Sequence, residues 1–379
     1  MMARLEEICA INMGQSPDSS TYNEDGNGLP FFQGNADFGE IYPAVRMWCS
    51  EPTKIAREKD ILISVRAPIG ALNIANCECC IGRGLAALTV NEDICAQEYL
   101  WHALSGKVDE LNSKGTGSTF KAINKKTLSE TEIPLPPIDE QHKIAAVLDK
   151  VSDLIAKRQQ QLDKLDEMIK ARFMEIFGDS ETNTKNWRVL PMSKICSVGS
   201  SKRIYQSEQS SSGVPFWRIS DLTSLITTGT VTPELYIPEE RYKELKTQGQ
   251  VPAPGDILIT SRGTLGQCYI VKVNDRFYFQ DGMISWLSGY MDGVTPLYIS
   301  YLFTMPGFRK QIDSMQAGST VAYLSITMIK KLKVMLPDIE SQQQFASFVS
   351  KTEKTKTTIS RSIEKLETLK KALMQEYFG

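Results

Sequence analysis

Short loops mixing Arg, Gln, Asn, Ser, Thr and Gly recur along this chain, and their chemistry is that of binding. In the first half they supply Gln33, Asn35 and Arg66, then Ser118, Thr119 and Lys121 in a glycine-rich run over 115–121. In the second half they supply Arg218, Ser220, Arg262, Thr264, Ser319 and Thr320. Hydroxyls and backbone N–H groups in glycine-rich turns suit phosphate oxygens, while Arg, Gln and Asn can make paired contacts to base edges. Any one of these loops is also ordinary turn chemistry. The functional argument is that the same kinds of loop return in both halves.

Bond-making signatures fail one by one. The pair Gly106-Lys107 has Trp101 where a phosphate-cradling loop needs its first Gly, and Val108 where it needs Ser or Thr. Pro136-Pro137 is flanked by Leu135 and Ile138, which can neither accept a hydrogen bond from an adenine amino group nor stack as an aromatic, so it reads as a helix entry. A nuclease-like set at Pro233, Glu234, Glu244 and Lys246 has Glu in place of the first Asp, within a charge-rich loop. The two histidines, His102 and His142, lie in helical patterns, and no Gly-x-Ser-x-Gly occurs, so a hydrolase triad has no support. Cys77, Cys79 and Cys80 are clustered without the Cys-x2-Cys pairs or matching histidines of a zinc site, and read as buried strand thiols. No catalytic residue and no metal ligand is therefore assigned.

At 379 residues, 41% of them hydrophobic and 23% charged, the chain is long enough for two or more domains with cores of their own. The first residues carry an acidic pair where a signal peptide needs its apolar stretch, and no run approaches about 18 apolar residues, so the expected location is the cytoplasm. Eight cysteines without framework spacing fit a reducing compartment. A net charge of −2 gives no global attraction to nucleic acid. Local patches or partners must supply any positive field.

Two long helices position the loops. The stretches 139–178 and 340–379 are each entered through Leu-Pro-x-Ile (Leu135, Pro136, Ile138 and Leu336, Pro337, Ile339) and left through Phe-Gly (Phe177, Gly178 and Phe378, Gly379). Stepping 4,3,4,3 from Ile144 gives Leu148, Val151, Ile155, Arg158, Leu162, Leu165, Ile169, Arg172 and Ile176. The second stripe runs Phe345, Val349, Thr352, Lys356, Ile359, Ile363, Leu366, Lys370, Leu373, Tyr377. These are heptad a/d stripes with no internal Gly or Pro, so each predicts one helix of about 40 residues, roughly 60 Å long. A helix that long with one apolar stripe needs a partner, and the nearest is the other copy. In an antiparallel pair Arg172 would lie near the start of the second helix, and Tyr377 near the start of the first.

The repeat extends beyond the helices. Residues 5–9 answer 192–196, and Gly28-Leu29-Pro30-Phe31-Phe32-Gln33 answers Gly213-Val214-Pro215-Phe216-Trp217-Arg218. Residues 59–70 answer 255–266, and Gly117-Ser118-Thr119 answers Gly318-Ser319-Thr320. The chain is thus globule, helix, globule, helix. Residues 61–65 and 257–261 read as buried strands, and 268–273 with 276–280 as a strand pair around Asn274-Asp275. Residues 97–111 and 296–312 read as helices, and 328–336 as a helix end running into an edge strand. Strands scattered among helices without regular alternation predict an α+β class. The boundaries fall at 1–138 for the first domain, 139–178 for the first helix, 179–337 for the second domain with 179–186 as its polar linker, and 338–379 for the second helix.

Two globules, each passing through Gly-x-Pro-Phe-(Phe/Trp), Asp-Ile-Leu-Ile and Gly-Ser-Thr before Leu-Pro-x-Ile and a long helix, resemble in their order the specificity subunit of type I restriction-modification systems. The resemblance covers essentially the whole chain. It implies two target recognition domains, each reading one half of a split DNA sequence, and a helix pair that holds them apart. It also implies partners: two modification subunits that bind S-adenosylmethionine and methylate adenine at N6, and restriction subunits that use ATP and Mg2+. The chain itself would bind no cofactor and perform no chemistry. If the helix pair is a ruler, four residues inserted after Gln160 should lengthen the spacer between half-sites by one or two base pairs. The competing readings are a stand-alone DNA methyltransferase or nuclease, and a coiled-coil scaffold with two protein-interaction domains.

Overall fold

A computed structural model describes residues 1–117, 121–316 and 322–379. The chain divides into two compact units, Met1–Gln160 with Ile359–Gly379, and Gln161–Thr358. Each unit therefore holds the first part of one long helix and the last part of the other.

The first unit is built on a four-stranded antiparallel sheet in the order Cys9–Met13, Leu85–Val90, Ile61–Ser64, Leu72–Ile74. Within Ile61–Ser64 all four residues are buried. Side chains alternate across a strand. Ile61 and Ile63 accordingly join Leu5, Ile8, Tyr99 and Leu100 in one core, while Leu62 joins Phe32, Cys79 and Ile81 in another. A run that serves two cores must be apolar on both faces, which is why Ile61 to Ile63 read as continuous hydrophobics. A five-stranded sheet lies beyond, and in it Leu29–Phe32 pairs in parallel with Cys79–Ile81.

The second unit repeats this plan. Its main sheet runs Ser197–Gly199, Ile284–Ser288, Ile257–Thr260, Cys268–Ile270. Ile257 and Ile259 face one core and Leu258 the other. Val214–Trp217 pairs in parallel with Tyr278–Phe279, as its counterpart does. In each unit a two-stranded sheet closes the domain just before a long helix begins, Met2–Arg4 with Glu132–Pro134 and Arg188–Pro191 with Lys333–Leu336.

The long helices run Ile138–Phe177 and Ile339–Phe378. They pack antiparallel. In the first unit Ile144 and Leu148 share a core with Phe378, against which Leu373, Met374 and Tyr377 also pack. In the second unit Ile169, Phe173 and Phe177 share a core with Phe345 and Val349. The Arg172 guanidinium lies 6.0 Å from the Phe348 ring centroid, inside that unit. Of the remaining stripe positions, Val151 and Ile359 are buried, and Ile155, Leu162, Leu165, Ile363 and Leu366 are half-buried. Lys356 meets Asp166 on the facing helix at 2.7 Å.

Three local expectations are corrected. The strand pair over 268–280 does not form: Cys268–Ile270 pairs with Ile257–Thr260, whereas Tyr278–Phe279 pairs with Val214–Trp217. Asn274-Asp275 does sit in a tight turn, closed by the Asp275 N–H on the Lys272 carbonyl, but the buried run Phe277, Tyr278 and Phe279 is drawn to a different sheet. The helix over 97–111 is two, Gln97–Ser105 and Val108–Ser113, parted at Gly106. The helix over 296–312 is likewise two, Pro296–Leu302 and Pro306–Ser314, because Pro306 lacks the N–H that would continue the first.

Candidate nucleic-acid interface

In the first unit three strand ends form a platform. The backbone after Leu29–Phe32 meets the Gly82-Arg83-Gly84 segment, with Gly82 N–H donating to the Phe32 carbonyl at 2.8 Å and Gly84 N–H to the Gln33 carbonyl at 3.2 Å. Val65 N–H then donates to the Gly84 carbonyl at 2.9 Å. Both glycines are required by this approach, since a Cβ would lie 2.9 Å from the Gln33 Cα at Gly82 and 2.5 Å from its carbonyl oxygen at Gly84. Gln33, Arg83 and Arg66 therefore stand on adjacent, hydrogen-bonded pieces of backbone. They line a cleft of about 440 Å³ together with Asn35 and Arg46. Arg46, Arg66 and Arg83 are exposed. No carboxylate lies within ion-pair range of any of them among the described residues. Asp37, the nearby acid, is occupied in accepting from the backbone N–H groups of Gln33 and Gly34.

Lys121 is exposed at the edge of this platform, its carbonyl accepting from Ala67 N–H at 3.1 Å. Thr116 and Ala122 exchange backbone hydrogen bonds and Ile123 N–H donates to the Val65 carbonyl, so Thr116 and Ala122, which flank the loop, are held beside Arg66. Ser118 and Thr119, within that loop, lie outside the described residues.

The second unit has a similar platform with different side chains. Gln280 N–H donates to the Trp217 carbonyl at 2.9 Å and Ser261 N–H to the Met283 carbonyl at 2.9 Å. Arg218, Asp281 and Arg262 thus take the places of Gln33, Arg83 and Arg66. Arg262 and Thr264 are exposed, and Ser220 is exposed in the first turn of helix Ile219–Thr228. Arg218 is engaged: its guanidinium donates to Glu234 at 2.7 Å and lies 3.6 Å from Asp221. The bond from Glu234, with the charges of both acids, holds its pKa above the ordinary arginine value. Asp281 is paired with Arg203 at 2.9 Å. Leu324 N–H donates to the Ser261 carbonyl, and Gln316 and Tyr323 bond to each other, so the described residues flanking this unit's loop are tied together and to the residue before Arg262. Ser319 and Thr320 lie outside the described residues.

Arg46, Arg83 and Asp281 were not legible as candidates. The signal for Arg83 was present as Gly82-Arg83-Gly84, a residue held between two glycines at a strand end. The nuclease-like acids are turned to arginines, Glu234 to Arg218 and Glu244 to Arg241. Among the cysteines, Cys79 and Cys80 are buried in the strand Cys79–Ile81. Burial, aided by neighbouring thiols and acids, pushes the Cys79 thiol up to about 12, and burial raises Cys77 and Cys80 as well. Such thiols resist becoming the thiolates a metal needs. Among the described residues no three His, Cys, Asp or Glu side chains are grouped to hold a metal ion, and no helix is long and apolar enough to cross a membrane.

Known proteins share this plan. The chain is 43% identical over 180 residues to a putative type I restriction enzyme specificity subunit, MjaX, of Methanocaldococcus jannaschii, covering 48% of this chain and 42% of that one. It is 26% identical over 252 residues to a putative specificity subunit of Haemophilus influenzae, covering 65% of this chain and 62% of the relative. It therefore spans less than two thirds of the length of these curated relatives. The crystal structure of a type I restriction-modification S subunit from M. genitalium has the same fold, with a TM-score of 0.58 at 14% identity, over 100% of this chain and 96% of that one. The model of the type I restriction modification DNA specificity domain matches residues 1–167 and again 184–368, so the chain belongs to that family and carries its domain twice.

Proposed function

We propose that this chain is the address-reading subunit of a type I restriction-modification complex. Each unit reads one half of a bipartite duplex target, and the antiparallel helix pair carries the two readers. The observation that carries this reading is the duplicated platform: Arg66 and Arg262 occupy the same point of the same fold, and both are exposed. Guanidinium groups without an ion-pair partner among the described residues suit phosphate and guanine, and backbone N–H groups in glycine-rich loops suit phosphate.

The chain supplies recognition and leaves the chemistry to partners. Two modification subunits holding S-adenosylmethionine would methylate adenine at N6, and restriction subunits would consume ATP with Mg2+. The modest negative charge of the chain fits a clamp whose remaining positive field comes from those partners. It would work in the cytoplasm, where the DNA is. Single-molecule sequencing of cells carrying the modification subunits, with and without this chain, tests the reading. A split methyladenine motif that appears only with the chain supports it. Methylation by the purified chain with S-adenosylmethionine alone would make it an enzyme, and failure to bind duplex even with modification subunits would make it a scaffold.

A further inference from the structure

The two platforms share two of the backbone hydrogen bonds that join their strand ends, and they differ in charge. In the first unit the sequence of side chains across the three strand ends is Gln33, Arg83, Arg66; in the second it is Arg218, Asp281, Arg262. The outer position is an arginine in both. The middle position changes from a donor with no carboxylate in ion-pair range among the described residues to an acceptor paired with Arg203. The glycines around Arg83 fix that residue against Gln33, whereas the second unit has one more residue between Gln280 and Met283 and carries the acid there.

The geometry points to a specificity row: in each unit these three side chains read neighbouring base edges, and the middle residue sets the base demanded there, guanine for Arg83 and cytosine for Asp281. This rests on the DNA-reading function proposed above. Adjacent strands stand about 4.8 Å apart and base pairs about 3.4 Å, so long side chains on neighbouring strand ends can reach successive pairs. Arg makes a two-point contact with guanine O6 and N7, and a carboxylate accepts from the cytosine N4 amino group. Gln33 and Asn35, at the other side of the first cleft, have the donor and acceptor pair that matches adenine. Arg203, with its side chain 66% exposed, can turn to a phosphate while Asp281 meets the base.

The test uses the full chain with its modification subunits, and reads the methylated motif in cells for Arg83→Ala, Arg83→Lys and Asp281→Asn. Arg83→Ala is expected to make one guanine of one half-motif degenerate, discrimination there falling about ten- to a hundredfold, with the other half unchanged. Arg83→Lys should be nearly as degenerate, because a lysine keeps the charge and loses the two-pronged fork. Asp281→Asn should relax one position of the other half-motif only. An unchanged motif in all three variants, whether methylated fully or uniformly less, overturns the row, since a phosphate contact or a purely structural role gives that result. If the wild-type chain directs no split motif at all, it is the DNA-reading function that fails, and the row falls with it.

Discussion

Gln141 and Gln342 make the same three backbone hydrogen bonds from the second turn of the two long helices. Gln141 accepts from Ala96 N–H at 2.9 Å and donates to the carbonyls of Ile94 and Pro136. Gln342 accepts from Thr295 N–H at 2.8 Å and donates to the carbonyls of Gly293 and Pro337. Both amides are buried. Each ties the helix start to the loop entering a domain helix and to its own Leu-Pro step, so the direction in which the helix leaves its domain is set by a satisfied polar clamp. Tyr99 and Tyr298 reinforce it by donating to the carbonyls of Pro134 and Met335.

Gln141→Leu removes the clamp while keeping the bulk, and strands one buried N–H and two carbonyls. At about 1 kcal/mol or more for each of the three groups left unsatisfied, a loss of at least roughly 3 kcal/mol is expected, and the same for Gln342→Leu. Urea unfolding against the exposed control Gln343→Ala measures it. A loss no larger than the control's would show that the clamp is dispensable.

Lys356 interrupts the apolar stripe, bonded to Asp166 at 2.7 Å and Glu353 at 3.1 Å. Burial pushes its pKa down, but the bonds to the two carboxylates outweigh this and the net shift is upward. Its ionic contribution is therefore present below the unfolded lysine value of about 10.4 and is lost as pH rises through the higher folded value. Lys356→Met lets two half-exposed acids return to water and fills the stripe, so stability near neutral pH should be unchanged or rise by about 1 kcal/mol. A fall beyond about 2 kcal/mol in thermal or urea unfolding would mean the charge holds the helices together rather than setting their register.

Asp338 caps the second long helix, accepting from Ser341 N–H at 2.7 Å, and that bond holds its carboxyl below the ordinary aspartate value. A depressed folded pKa contributes stability above the unfolded value of about 3.9, lost as pH falls through the folded one. Asp338→Asn should thus be less stable than wild type near neutral pH and indistinguishable in strong acid. A gap that persists in strong acid would assign the effect to something other than this charge.

The long-range plan was legible in the sequence because it was written twice. The helices run Ile138–Phe177 and Ile339–Phe378, one residue from the stretches drawn from periodicity, since an uninterrupted heptad pattern ending in glycine leaves little choice. The details of the site were not. Arg46 and Arg83 come together only because Leu29–Phe32 pairs with Trp48–Cys49 on one side and Cys79–Ile81 on the other, contacts that local patterns do not encode. Nothing in the sequence sets Gln141 apart from the polar residues beside it at the helix start; only the fold reveals it as buried. At Asn274-Asp275 the turn signal was sound, but burial of the following aromatics decided the strand partners.

The helices run antiparallel, so lengthening one alone leaves its partner short. Four residues inserted after Gln160 and four after Thr358, one turn or about 6 Å in each helix, should lengthen the unspecified spacer by one or two base pairs. An unchanged spacer in a folded, active double insertion would rule out the helix pair as the ruler.

Two separable readers on one chain should give one split address, and the methyladenine motif reads it out in cells carrying the modification subunits with the wild-type chain, and with residues 192–335 replaced by those of another family member. A split motif from the wild type, with one half altered and the other kept in the replacement, is the expected result. A change in both halves, or no dependence of methylation on the chain, would contradict it.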